Sequence, residues 1–120
     1  MWFIFPQLKG LGRSETALYY GIQNLAEAVA YLRHPILGRR LIKLVEILTK
    51  AECKSAFEIF GSPDDMKLHS SLTLFLEASK QEPGYHQSDS FKLLSAALQQ
   101  YFSGERDQRT LALLDGMQSL

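Results

Sequence analysis

The sequence predicts an all-α fold, a single compact domain over residues 1–120 with about six helices and an extended apolar N-terminal segment. Three observations predict it. Apolar residues recur at intervals of three and four along most of the chain. Glycines and prolines separate these periodic segments, and helix-capping residues precede them. The composition, 46% hydrophobic and 22% charged, is typical of a globular domain that buries one hydrophobic core.

The first predicted elements are an extended segment and a short helix. The apolar run Trp2–Phe5 is followed by Pro6 and by a turn that contains two glycines, so residues 1–13 do not favour a regular element. Ser14 is a favourable capping residue, and Gly21 ends the short helix that Ser14 begins.

Capping residues and a proline predict the next two helices. Asn24 and Glu27 form a capping-box pattern in which asparagine replaces serine or threonine, and their helix extends to about Arg33. Pro35 stands at a first helical position, where proline is favoured because no hydrogen bond from its nitrogen is needed there. The helix that follows extends to about Ala51.

Two helix starts lie close together in the middle of the chain. Ser55 and Glu58 form another capping box, and the short helix ends at Gly61. Residues 62–65, Ser-Pro-Asp-Asp, combine a cap, a proline at the first position and two acids at the positive end of the helix dipole. They predict a longer helix to about Ser79.

The last two helices are predicted by periodicity and by one cap. The pair Pro83-Gly84 breaks the preceding helix, and apolar residues at helical spacing then predict a helix over 88–102. Asp107 is the cap of a last short helix that extends through Leu114.

Composition excludes several classes of function. Thirteen Lys and Arg residues balance thirteen Asp and Glu residues, so no net positive field attracts nucleic acid or an anionic membrane. Cys53 is the only cysteine, which excludes an intrachain disulfide and a cysteine zinc cluster, and we interpret it as an inert thiol. The run Trp2–Phe5 is too short for a signal peptide or a membrane span. We therefore predict a cytoplasmic protein with neither metal nor cofactor.

Helical geometry places one arginine and one acid on apolar faces. On a helical wheel, Arg40 falls about 60° from Leu37, within the predicted apolar stripe of its helix, and Asp65 falls about 20° from Leu72. This placement predicts either a buried ion pair between Arg40 and Asp65 or a pocket in which Arg40 binds an anionic ligand. We favour the ion pair, for which Arg40→Ala would lower the free energy of unfolding by a few kcal/mol.

Two further clusters have a structural and a functional interpretation. Lys67, Ser70 and Ser71 lie on the other face of the same helix, where they form either a solvated polar face, which we favour, or a phosphate site near the helix start. Trp2 and its aromatic neighbours either fill the core, which we favour, or form with Gln7 and Arg13 the wall of a planar-ligand site. The candidate ligand-binding residues are therefore Trp2, Gln7, Arg13, Arg40, Asp65, Lys67 and Ser71.

Specific strings also carry a family resemblance. They are Trp-Phe-Ile-Phe-Pro-Gln and the residues after it to Ser14, residues 30–32, His34-Pro35, Leu37, residues 40–41, 59–65, 67–68, 70–71, 73–75 and 101–102, Gly104 and residues 107–113. In these strings the chain resembles a bacterial family, the domain of unknown function numbered 1810. The resemblance implies a compact helical domain and assigns no catalytic residue.

Two properties of this family bear on function. Some members carry the label "calpastatin", but calpain inhibitors are disordered chains, whereas this composition and capping predict a folded domain. Family members also have a helical segment before the Trp-Phe-Ile-Phe-Pro-Gln string, with which this chain begins. The aromatic residues of that string would then lack a cover, and we expect a homodimer or marginal stability as a result.

Three functions remain open at this point. We favour a non-catalytic module that binds a small metabolite or a protein, because no catalytic triad, metal cluster or phosphate loop is visible. An alternative is an enzyme or sensor that acts on a nucleotide-like anion such as an ADP-ribose derivative, through Arg13, Arg40, Asp65 and Lys67. The third is a protein–protein interaction module that uses the aromatic N-terminal strip.

Overall fold

A computed structural model describes residues 5–6, 21–51 and 64–118 of the chain. Within these ranges the chain is helical and contains no β-strand, which confirms the predicted all-α fold. The helices are α1 (Leu25–Arg33), α2 (Leu37–Lys50), α3 (Asp64–Ser79), a 3-10 helix (Tyr85–Gln87), α4 (Asp89–Phe102) and α5 (Gln108–Gln118). The helices predicted over 14–21 and 55–61, and most of the extended segment over 1–13, lie outside the described residues.

The described helices begin close to their predicted starts. The Asn24 side chain accepts a hydrogen bond of 2.8 Å from the backbone nitrogen of Glu27, as the capping box predicts. The start of α2 differs, because the His34 ring and not Pro35 determines it. Its Nδ1 accepts hydrogen bonds of 3.1 Å from the backbone nitrogens of both Ile36 and Leu37. The helix therefore begins two residues after the predicted position.

Helix α3 lies at the centre of the fold. It contacts α1, α4 and α5, while α2 packs against α1 and α4. Nearly every side chain of α3 from Leu68 to Ser79 is buried, and Phe75 is fully enclosed. A helix that is surrounded on several sides does not need one apolar face and one polar face. Leu41, Leu94 and Leu114 from the other helices complete the same hydrophobic core.

The core-facing side of α2 differs from the prediction. Leu41, Val45 and Leu48 are buried, whereas Leu37, from which the predicted apolar stripe was measured, is 38% exposed and Ile47 is 55% exposed. The buried face is thus centred between Leu41 and Val45, about 60° further round the helix than predicted. The residues that the helical wheel placed at the edge of the stripe farthest from Val45 lie outside the core.

Gly38 determines this orientation of α2. A Cβ atom at Gly38 would lie 2.0 Å from the backbone oxygen of Leu32, at the end of α1. Only glycine permits this approach between the two helices, because any side chain would collide with a backbone carbonyl. The connection between α1 and α2 therefore brings Tyr31 of α1 close to the first turns of α2.

Among the described residues, none of the helices has the length and apolar character that crossing a membrane requires.

Candidate functional site

Arg40 and Tyr31 are neighbours across the contact between α1 and α2. Arg40 is exposed, and its positive charge acts on the half-buried phenol of Tyr31. Burial raises the pKa of Tyr31 above its usual value, and the Arg40 charge lowers it by a smaller amount. The phenol is therefore neutral and able to donate a hydrogen bond at neutral pH.

The predicted ion pair between Arg40 and Asp65 does not form. Neither side chain has a salt bridge to any residue within the described ranges. Arg40 is exposed because the buried face of α2 is rotated away from it. The helical wheel therefore gave the spacing of the apolar residues correctly and the direction of the buried face wrongly. We therefore withdraw the expectation that Arg40→Ala destabilises the protein.

Tyr31 connects Arg40 to the central helix. The Tyr31 ring packs on the Phe75 ring at a centroid distance of 5.4 Å. Ser71 and Lys67 lie one and two turns before Phe75, and each is turned by only about 40° from the next, so the three form a stripe on α3. This stripe, together with Tyr31, which packs on Phe75, and Arg40, whose charge acts on Tyr31, is the candidate site.

Two polar atoms of α3 are buried without a hydrogen-bond partner among the described residues. They are the Ser71 hydroxyl, in a residue that is 1% exposed, and Oδ1 of Asp65. Buried polar groups in folded proteins are nearly always paired, so an unpaired one needs an explanation. The two atoms do not belong to one pocket, because Asp65 and Ser71 lie about 120° apart around the helix axis. Of the two, only Ser71 lies on the stripe with Phe75.

The favoured interpretation of a solvated polar face on α3 is wrong. Ser70, Ser71 and Thr73 are all buried. The Ser70 hydroxyl donates to Oδ2 of Asp107 at 3.1 Å, and the Thr73 hydroxyl accepts from the Asp107 backbone nitrogen at 2.9 Å. These two hydroxyls hold the start of α5 against α3, whereas the Ser71 hydroxyl makes no such bond.

The remaining predicted site residues are not placed. Trp2, Gln7 and Arg13 lie outside the described residues, so the planar-ligand wall and the aromatic interaction strip stay predictions. Phe5 of that strip is described, and at 2% exposure it belongs to the core. Cys53 also lies outside the described ranges.

The histidines have structural surroundings. His34 caps α2, and the His69 ring stacks on Phe102 at a centroid distance of 4.0 Å while its Nε2 contacts the Glu105 carbonyl oxygen at 2.6 Å. Across the described part of the chain, no group of three or more His, Cys, Asp or Glu residues is placed to hold a metal ion. Arg40 and Tyr31 together offer a cation, a hydroxyl group and an aromatic ring, which suit recognition of an anion.

A separate cavity lies on the other side of α1. It has a volume of about 600 Å³ and is lined mainly by apolar residues of α1 together with Gln81 and Leu114. Its size is within the range of small-molecule sites. None of the predicted site residues lines it, and Arg33 at its edge is paired with Glu82. The cavity therefore offers few polar groups to orient a charged ligand.

Comparisons with other proteins agree with the predicted family and fold. The family model DUF1810, described as a protein of unknown function, matches residues 1–114. The chain is similar to the crystal structure of a conserved hypothetical protein from Mycobacterium tuberculosis, with 46% sequence identity and a TM-score of 0.84. The match covers 95% of this chain and 75% of that chain. No curated protein matches the chain.

Proposed function

This chain belongs to the DUF1810 family, and from that premise we propose that it is a non-catalytic module that binds a small anionic metabolite. The charge-recognising residue in this proposal is Arg40, and Tyr31 beside it supplies a hydroxyl group. Lys67, on the same stripe of α3, adds a second positive charge. The site therefore recognises an anionic group through one guanidinium, one ammonium group and the neutral phenol of Tyr31.

The observation that carries this proposal is the environment of Arg40. Arg33 and Arg106 are each bonded to a glutamate, whereas Arg40 has no ion pair within the described ranges. Arg40 also lies beside a partly buried phenol. An anion bound there would lose less of its hydration than one bound deep in the core, so the desolvation cost of binding is lower. An arginine fork presents several donors in a fixed plane, which matches phosphate and carboxylate groups.

The aromatic neighbours favour a ligand with a planar part. The Tyr31 and Phe75 rings pack at an interplanar angle of 44°, and Tyr31 is only partly buried. A nucleotide-like anion has both a phosphate for Arg40 and a flat base for such a ring. We therefore test ADP-ribose derivatives as well as simpler anions.

The proposal is tested by thermal shift with a matched pair of arginine variants. The panel contains inorganic phosphate, sugar phosphates, nucleotides and ADP-ribose at constant ionic strength. We expect one class to raise the melting temperature in a dose-dependent manner, since a ligand that binds only the native state stabilises it. Arg40→Gln should weaken this binding by about tenfold to a hundredfold, the effect of one charge-assisted hydrogen bond.

Arg39→Gln is the control. Arg39 is exposed on the same helix and carries the same charge, but it lies about 100° from Arg40. Equal loss of binding in both variants would indicate general charge attraction and contradict the proposed site. Conversion of a bound compound, followed by mass spectrometry, would show an enzyme instead of a binding module. A cooperative melt without any shift would favour a protein partner.

A further inference from the structure

A second cavity lies at the opposite end of α3 and is lined by described residues from four elements. It has a volume of about 350 Å³ and is bounded by the end of α3, the 3-10 helix, α4 and the segment before α5. Lys80 lies about 13 Å along the helix axis from Ser71, so this cavity is separate from the candidate site. We call it the basic–aromatic cavity after Lys80, Arg106, Tyr85 and Phe91.

Three rings form one wall of this cavity. The Tyr85 ring lies 5.0 Å from the Phe91 ring in an edge-to-face arrangement, and His86 packs 4.0 Å from Tyr85. Gly84, with φ of 72°, turns the chain into the 3-10 helix that carries Tyr85 and His86. The rings are thus fixed by one another and by the turn, which reduces the entropy lost when a planar group binds to them.

Two cations border the wall. Nζ of Lys80 and Nη1 of Arg106 both donate to the same atom, Oε1 of Glu77, at 3.2 and 2.9 Å. Two positive charges share one carboxylate here, so the cluster keeps a positive excess even beside the partial negative charge at the end of α3. Lysine has three donors and arginine has five, and Glu77 uses one of each. The remaining donors are free to bind an anion.

Neutral polar groups complete the cavity. Ser95 and Gln99 line it from α4, and their side chains have no hydrogen bond to another residue of the described part of the chain. Gly104, with φ of 78°, leaves room for the Gln99 amide, since a Cβ there would lie 2.7 Å from the Gln99 Oε1 atom. The cavity therefore combines a hydroxyl and an amide with cations and rings.

We propose that the basic–aromatic cavity binds a small planar anion, that is, one aromatic ring that carries a carboxylate or a phosphate. Lys80 and Arg106 bind the anionic group, the Tyr85 and Phe91 wall contacts the ring, and Gln99 binds a polar substituent. The volume is near the lower end of the range for small-molecule sites, which fits one ring and its anionic group and excludes a dinucleotide.

Calorimetric titration of the whole protein tests this inference. The probes are 4-hydroxybenzoate, phenyl phosphate and inorganic phosphate, which separate the carboxylate, the phosphate and the ring. We expect saturable binding of a ring-bearing anion at one site. Lys80→Gln and Arg106→Gln should each weaken it about tenfold or more. Each variant leaves Glu77 with its other cation, so both are expected to fold.

Two controls make the result specific to this cavity. Lys92→Gln removes an exposed charge of α4 that does not line the cavity. It should leave the dissociation constant unchanged. Tyr85→Ala should weaken binding of the ring-bearing probes and leave that of inorganic phosphate unaltered.

Four results would overturn the inference. One is equal weakening by Lys80→Gln and Lys92→Gln, which would mean general charge attraction. The second is binding of inorganic phosphate as tight as that of the ring-bearing anions, which would remove the role of the aromatic wall. The third is the absence of saturable binding by any of the probes. Loss of binding in Arg40→Gln alone would assign the ligand to the α1–α2 site and contradict the cavity.

Discussion

Replacement of Gly38 by alanine is expected to lower the free energy of unfolding by about 3 kcal/mol, at the upper end of the usual effect of overpacking. The new Cβ would lie 2.0 Å from the Leu32 oxygen and 2.7 Å from the Leu32 carbonyl carbon. Both are backbone atoms, so no side-chain rotation relieves the collision. Helix α1 would have to move by about 1.4 Å relative to α2 before an ordinary contact distance of 3.4 Å is restored.

Gly116→Ala is the matched control for this prediction. Gly116 lies within α5, and nothing is found within 4 Å of the position of its missing Cβ. Alanine in an open helical position is favoured over glycine by up to about 1 kcal/mol, so this variant should be as stable as the wild type or slightly more stable. Urea denaturation of both variants measures the difference. Equal stability of Gly38→Ala and the wild type would mean that α1 and α2 are not in close contact.

The same substitution also tests the position of the candidate site. The Tyr31 backbone oxygen lies 3.1 Å from the position of the Gly38 Cβ, and Arg40 lies two residues after Gly38. A shift of α1 therefore changes the separation of Tyr31 and Arg40. Any ligand that depends on both residues should bind more weakly to Gly38→Ala even where the variant remains folded.

The sequence predicts the helices well because their ends depend on local contacts. Asn24, Ser88 and Asp107 each accept a hydrogen bond from a backbone nitrogen three residues later. Such contacts involve neighbouring residues, so a single sequence contains the information needed. The start of α2 shows the limit, because His34 provides a cap through its ring and histidine is not a residue that the usual capping patterns include.

The orientation of α2 could not be predicted in the same way. Apolar residues occupy more than half of its circumference, and the wheel gives equal weight to Leu37, which is exposed, and Leu41, which is buried. The deciding residue is Gly38, whose hydrogen atom lets α1 approach, and a hydrophobicity pattern gives glycine almost no weight. Arg40 was therefore placed in the core although it is on the surface.

The two proposed sites also differ in how much of each the sequence predicts. Lys67 and Ser71 share a stripe with Phe75 because they are on one helix, and helical spacing predicts that. The basic–aromatic cavity joins Lys80 to Arg106, which are 26 positions apart, and no local pattern brings such residues together. The connection depends on how α4 returns along α3, which is a property of the packed structure.

Asp107→Ala is expected to lower the free energy of unfolding by about 2–4 kcal/mol, because a single carboxylate oxygen makes several contacts at the start of α5. Oδ2 of Asp107 accepts from the Thr110 backbone nitrogen at 3.1 Å, from the Thr110 hydroxyl at 2.6 Å and from the Ser70 hydroxyl at 3.1 Å. Thr110 is fully buried, so its hydroxyl would lose its acceptor without gaining water. Ser70 would retain its bond to the Met66 carbonyl oxygen.

Two further variants separate the network from a simple charge effect. Asp107→Asn keeps a capping oxygen and should lose only about 1 kcal/mol of stability, while Asp89→Ala removes an exposed acid from the first turn of α4 and should lose less than that.

Hydrogen exchange then shows which helices the loss of the Asp107 carboxylate destabilises. Faster exchange in Asp107→Ala should be confined to α5 and the adjoining turn of α3, since Ser70 and Thr73 connect these two elements. If Asp107→Ala proved as stable as Asp89→Ala, the buried hydroxyls of α3 would not be what holds α5 in place. The burial of the Ser70 and Thr73 hydroxyls would then need another explanation, as that of the Ser71 hydroxyl already does.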